Sequence, residues 1–273
     1  MKLAYYIKED KLAANPEIPE LADRIRAAGV DLYRVGASTD VTSHTDALLS
    51  LGGDGTFLSA ARVAVPCGLP VLGVNFGRLG FLSDIEPDAL LDALLDGKFV
   101  TEERDLLLAN APFAAVDGWP YALNEVSVSR TGASMLGIDV NVDGVQLPTY
   151  WADGLLIATG TGSTAYSLSA GGPICTPDAR VFILSPISPH NLNLRPLVIP
   201  NTSVIKLSVR SREGKAVLTM DNRVFPMENS STLTVSLAPV RLKRWCLGGS
   251  SFFNALRSRL FWGEDMRNSN ITY

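Results

Sequence analysis

Gly52-Gly53-Asp54-Gly55-Thr56 sets one carboxylate among three glycines. The apolar run 47–51 before it reads as a short strand that ends at the turn. Residues 57–65 have helical spacing, with Thr56 as the expected N-cap. Glycines let a backbone turn tightly and approach a ligand closely. The helix start offers N–H groups to a phosphate. In an open parallel sheet, ligands bind beyond the carboxyl ends of the strands, where this turn falls. Asp54 would then lie beside phosphates, able to hold a metal ion or to take a proton. A tight turn with a solvated aspartate uses the same residue types, so other segments must decide.

Two such segments lie in the second half of the chain. Asn124-Glu125 opens a strand-like run. Asp153 leads an apolar strand, 155–159, into Thr161-Gly162-Ser163-Thr164-Ala165-Tyr166-Ser167-Leu168-Ser169-Ala170-Gly171-Gly172-Pro173. Gly160 to Ala165 also fits the G-x-G-x-x-[GA] dinucleotide fingerprint, which makes an NAD-dependent oxidoreductase a rival reading. That fingerprint belongs to a βαβ unit, whereas here the flanking sequence is β-rich. No acid–base pair for hydride transfer accompanies it. Plainer roles stand beside these: an exposed strand start for Asn124-Glu125, a core aromatic for Tyr166, a polar turn for His190, solvent for His44, and a structural ion pair for Arg195.

The elements that must position these residues change in texture along the chain. Up to about residue 100, strand and helix patterns alternate: strands at 3–7, 30–35, 47–51 and 70–75, helices at 18–28, 57–65 and 88–95. Gly29 and Gly97 stand where helices usually stop. Such alternation predicts a parallel sheet covered on both faces. Beyond it, β-branched runs at 124–129, 137–142, 155–159, 203–210, 216–221 and 231–236 are separated by turn signals such as Asp143-Gly144. The expected fold is an α/β N-terminal domain with a parallel sheet, residues 1–100. A mostly antiparallel, β-sandwich-like domain follows, residues 101–273, with a C-terminal helix at 252–262 packing back.

Composition narrows the class. The chain has 273 residues, 47% of them hydrophobic, and a net charge of −4. That supports a folded core and gives no general attraction to a nucleic-acid backbone. Phosphates must then be held by local devices. Three separated cysteines fit neither a disulfide framework nor a zinc cluster and point to a reducing cytoplasm. No run reaches the length of a membrane span.

Taken together, the motifs resemble one family. Gly52-Gly53-Asp54-Gly55-Thr56 is similar to the signature shared by NAD kinases, diacylglycerol and sphingosine kinases and, more loosely, 6-phosphofructokinases. The segment from Thr161 to Pro173 resembles the NAD kinases. So do Asn124-Glu125, Asn75-Phe76-Gly77-Arg78-Leu79-Gly80-Phe81-Leu82 and Ser185-Pro186-Ile187-Ser188-Pro189-His190 with Arg195-Pro196. The lipid kinases lack the Gly-Ser-Thr-Ala-Tyr segment and rank below.

The resemblance implies a phosphotransferase that makes NADP from NAD with ATP or polyphosphate. It implies Asp54 as the base toward the adenosine ribose 2′-hydroxyl and Gly55 as a nucleotide contact. Asn124, Glu125 and Asp153 would contact the substrate, with Phe81 near its pocket. Thr161, Thr164, Ala165, Tyr166, Ser167 and Ser169 would surround adenine and ribose. It also implies a divalent ion, Mg²⁺, carried with ATP, and a homodimer or homotetramer. Neither a nucleic-acid partner nor a membrane is expected. Two departures stand out. Gly160 replaces the family's usual proline, and Asn222-Arg223 replaces a Gly-Gln-like pair, where an arginine could contact a phosphate or simply be exposed.

Overall fold

The computed structural model describes residues 1–8, 14–77, 80–110, 118–248 and 252–263. They divide into two compact units, Met1–Glu102 together with residues from Lys243 on, and Glu103–Leu242.

In the first unit, β1 (Lys2–Tyr6), β2 (Asp31–Arg34), β3 (Ala47–Leu51) and β4 (Val71–Val74) form a parallel sheet in the order β4-β3-β1-β2. Every residue of β3 is buried, as an interior strand covered on both faces requires. Helix α1 (Glu17–Ala27) buries Ile18, Leu21, Ala22 and Ile25, one face at a spacing of three and four. Helix α3 (Pro87–Asp96) buries Leu90, Ala93 and Leu94 in the same manner and stops at Gly97, which has φ 65°.

The helix between them, α2, spans Asp54–Ala64. It starts three residues before the predicted position, and Thr56 is not its cap. Gly53 is the N-cap, and its carbonyl accepts the N–H groups of Thr56 and Phe57. Thr56 is buried and is already the third residue of the helix, past the cap position. An aspartate at the first helical position is favoured by the helix dipole.

The second unit is antiparallel. One run of strands is β15 (Arg223–Glu228), β14 (Lys215–Met220), β7 (Glu125–Arg130) and the second half of β10 (Tyr150–Thr159). The first half of β10 instead pairs β8 (Leu136–Val142), which leads through β13 (Ile205–Arg210) to β16 (Thr232–Leu247). Residues of both runs, among them Val126, Val128, Leu218, Ile138, Val140 and Leu207, bury one common core. Along its other edge β10 pairs β11 (Val181–Pro189), which pairs β12 (Leu197–Pro200) in turn; β5 (Phe99–Asn110) pairs the short β6 (Tyr121–Ala122), and β8 pairs the short β9 (Val145–Gln146).

Strands β11 and β15 escaped the sequence reading because each carries proline. Pro226 sits in β15, which among the described residues pairs β14 alone and stands at the end of the strand order, where a missing N–H is tolerated. Pro186 and Pro189 lie beyond residues 181–184, the part of β11 that pairs its outer neighbour. The division at 101–273 also changes. Residues from Lys243 on belong with the first unit, because Arg244 lies opposite Val71 of β4 and Trp245 stacks on Phe99 at 4.9 Å. The C-terminal helix, α5 (Phe252–Leu260), is part of this unit and buries Leu256; α4 is the short helix Tyr166–Ser169. Among the described residues no helix is long and apolar enough to cross a membrane.

Candidate active site

In the first unit, the Asp54 carboxylate turns toward the segment after β4. Its Oδ2 accepts the N–H of Phe81 at 2.8 Å. Its Oδ1 accepts those of Leu82 at 3.0 Å and Ser83 at 2.8 Å. Three backbone donors fix the rotamer, while Oδ2, with one bond, keeps a lone pair for a further proton or donor. Gly80 has to be glycine here, because a Cβ on it would overlap the Asp54 carboxylate. Around the turn itself the space is open. A Cβ at Gly53 or Gly55 would meet none of the described residues within 4 Å, and Gly52 takes φ 148°. The Phe81 side chain faces the C-terminal helix, with the Phe252 ring at 6.2 Å and the Arg259 guanidinium carbon at 5.2 Å from its centroid. Arg78 and Leu79 of the resembling motif lie outside the described residues.

The second unit brings Asn124, Glu125, Thr161 and Tyr166 together where β10 runs into a 3₁₀ turn, Thr161–Thr164, and then α4. Asn124 O accepts the N–H of Thr159 at 2.9 Å. Thr159 Oγ1 donates to Leu123 O at 2.6 Å and accepts Gly162 N–H at 3.0 Å. Gly162 lies so close to the Asn124 backbone that a side chain would collide with it. Glu125, only 8% exposed, accepts the N–H of Tyr166, and its Oε2 has no hydrogen-bond partner among the described residues. Burial first, and then the Asp221 charge, push the Glu125 carboxyl up to about 8. Thr161 Oγ1 is likewise buried without a partner.

Asp221 was not singled out in the sequence, yet it organises this cluster. Its carboxylate accepts the N–H groups of Leu123 at 2.9 Å, Asn124 at 2.8 Å and Glu125 at 3.2 Å. Burial raises its pKa; the three N–H bonds and Arg223 oppose that. Its φ of 52° is left-handed, a conformation that aspartate tolerates better than most residues. An Asp-Asn pair between two strand-like runs was the available signal.

The other expected residues distribute as follows. Tyr166 is 45% exposed, a presented ring rather than a core aromatic. Ser167 is buried against Ser185 Oγ at 3.3 Å, whereas Ser169 is exposed. Thr164 and Ala165 are partly buried beside them. Asp153 is not in this cluster. It lies six residues back along β10, roughly 20 Å at strand spacing, in a two-pronged ion pair with Arg130 at 2.6 and 3.3 Å.

Arg195 donates to the carbonyls of Leu192 and Leu194, and the expected ion pair does not form among the described residues. Arg223 donates to Trp119 O at 2.7 Å and Tyr121 O at 2.6 Å, which makes it a brace of the backbone. Gly160 has φ −55°, a value proline also takes, but its Cβ position is 3.0 Å from Thr176 O and 3.1 Å from Ala179 O. The dinucleotide fingerprint falls between antiparallel strands rather than in a βαβ unit, so its context for an oxidoreductase is missing. Among the described residues no group of three or more His, Cys, Asp or Glu could cage a metal ion.

Comparison with known proteins agrees with these motifs. Residues 11–99 match the family model of the ATP-NAD kinase N-terminal domain, and residues 123–243 match that of the C-terminal domain. An NAD kinase of Flavobacterium psychrophilum is 41% identical over 235 residues, covering 84% of this chain and 80% of its own length. One from Flavobacterium johnsoniae is 44% identical over 227 residues, covering 81% and 77%. Among solved structures, an NAD kinase from Archaeoglobus fulgidus in complex with ATP superposes with a TM-score of 0.76 at 25% identity. It covers 94% of this chain and 99% of that one. Yeast NADH kinase complexed with NADH has the same fold, with a TM-score of 0.78 at 24% identity over 98% of this chain and 90% of that one.

Proposed function

The chain belongs to the NAD kinase family, and from that premise we propose that it moves the terminal phosphoryl group of ATP, or of polyphosphate, to the adenosine ribose 2′-hydroxyl of NAD, giving NADP. The observation that carries the mechanism is the Asp54 carboxylate, fixed by three N–H groups with Oδ2 holding a single bond.

A ribose hydroxyl is a weak acid. Asp54 Oδ2 takes its proton as the 2′-oxygen attacks the terminal phosphorus. The new O–P bond forms while the bond from that phosphorus to the bridging oxygen breaks, and the shortened donor leaves with the electron pair. Proton removal of this kind contributes on the order of 10²–10⁴-fold. Positioning and neutralising phosphate charge supply the rest. Magnesium enters as part of the substrate, bound to the donor phosphates. In the second unit, the exposed ring of Tyr166 offers a face to adenine, and Asn124 and protonated Glu125 offer hydrogen bonds.

The test is purified protein with magnesium and NAD, the donor varied between ATP and polyphosphate, and NADP measured by chromatography. NADP is the expected product, and its absence with every donor overturns the reading. A homodimer or homotetramer in the cytoplasm completes the proposal; a monomer mass by light scattering at micromolar concentration refutes the assembly.

A further inference from the structure

Arg259, on the C-terminal helix, is a charged group that the reaction above leaves unused. Its Nε and Nη1 are buried and have no hydrogen-bond partner among the described residues. A buried donor left unpaired is costly, and more so when the group is charged. The acids whose charge it feels are Asp84 and Asp54, and both are already engaged. Asp84 holds Arg244, which is 4% exposed. Asp54 accepts three backbone N–H groups. The guanidinium rests instead on the Phe81 ring, its carbon 5.2 Å from the centroid. Phe81 is also the residue whose N–H anchors Asp54 Oδ2.

A planar guanidinium with free donors is matched by an oxyanion that accepts two hydrogen bonds at once, above all a phosphate. The turn beside Asp54 leaves room for one among the described residues, none of which would meet a Cβ at Gly53 or Gly55 within 4 Å. Helix α2 begins there with no side-chain cap. We propose that Arg259 binds the polyphosphate of the phosphoryl donor, pivoting off the face of Phe81 to meet the phosphate oxygens beside Asp54. Its charge then offsets the charge on the transferring group, and the C-terminal helix is thereby part of the donor site. This rests on reading the chain as a phosphoryl-transferring enzyme.

The side chain has a long flexible stem and the residue is only partly buried as a whole, as a pivot of the guanidinium requires. The cation–ring contact it gives up is weaker than the charge-assisted pair of hydrogen bonds it gains.

Arg259→Met keeps an apolar stem on Phe81 and removes the donors; Arg259→Lys keeps the charge without the fork. Calorimetry with inorganic tripolyphosphate should show at least a tenfold loss of affinity in Arg259→Met and partial recovery in Arg259→Lys. In steady state, KM for ATP should rise at least tenfold while KM for NAD stays put. Unchanged tripolyphosphate affinity and unchanged KM for ATP, with or without a lower melting temperature, overturn the proposal and leave Arg259 a structural residue. The two readings fail separately. Tripolyphosphate binding that depends on Arg259 in a protein that never makes NADP sinks the proposed reaction and keeps the anion site. NADP formation with equal donor KM in wild type and variant does the reverse.

Discussion

The N–H of Phe81 donates to Asp54 Oδ2 at 2.8 Å, so the carboxylate at the start of α2 is held by a residue 27 positions further along the chain. With Leu82 and Ser83 donating to the other oxygen, the side chain has one orientation. Asparagine cannot reproduce it. Whichever way the amide is turned, its NH₂ faces a backbone N–H, and no base remains. Asp54→Asn should lower kcat by on the order of 10²-fold or more and cost about 1–3 kcal/mol of stability. Initial rates and thermal melts read the two separately. Near-normal turnover in a folded variant would remove Asp54 from the role of base.

Gly80 gives a second handle on the same carboxylate without touching it. A Cβ there would overlap Asp54, so Gly80→Ala should push the side chain off its three donors. We expect a fall in kcat comparable with that of Asp54→Asn. Because both changes act on one group, the double variant should lose little beyond either single one. Wild-type kcat in Gly80→Ala, or fully additive losses, would show that the observed orientation of Asp54 does not matter for turnover.

Much of the first unit was legible in the sequence, because its strands are short apolar runs and its helices bury residues at a spacing of three and four. The start of α2 was not. A glycine cap has no side chain to announce it, and Thr56 offered a more familiar candidate. Strands with internal prolines hid behind the usual penalty for proline in a sheet. At the site, Asn124, Glu125 and Tyr166 were legible as motif residues. Asp221 was not, because its part is to hold three backbone N–H groups, a pairing 96 to 98 positions apart in the chain. Asp153 shows the opposite limit: a motif match does not reveal that its nearest charge is Arg130.

Arg223 separates a brace from a phosphate contact. Its guanidinium binds the carbonyls of Trp119 and Tyr121. Arg223→Ala should therefore lower stability by about 1–3 kcal/mol and leave KM for ATP unchanged. Denaturant melts and donor titrations check this. A raised donor KM at unaltered stability would assign Arg223 to the substrate instead.

Glu125 supplies a pH dependence with a definite sign. Its carboxyl is pushed from an ordinary 4.5 up to about 8, by burial first and by Asp221 second. Between those values the folded protein keeps a proton that the unfolded chain has released. The associated stability is complete at low pH and is lost as pH rises toward 8 and past it. Near neutrality the protonated carboxyl can donate a hydrogen bond, and a glutamine can imitate it. Glu125→Gln should thus melt close to wild type at pH 5 and at least about 4 °C higher at pH 9. Its KM for NAD should match wild type at pH 7, while above pH 8 only the wild-type KM should climb. Melting curves that stay parallel from pH 5 to 9 would mean that Glu125 is already ionised in the folded protein. Oε2, which has no hydrogen-bond partner among the described residues, would then hold its charge in a buried site beside Asp221.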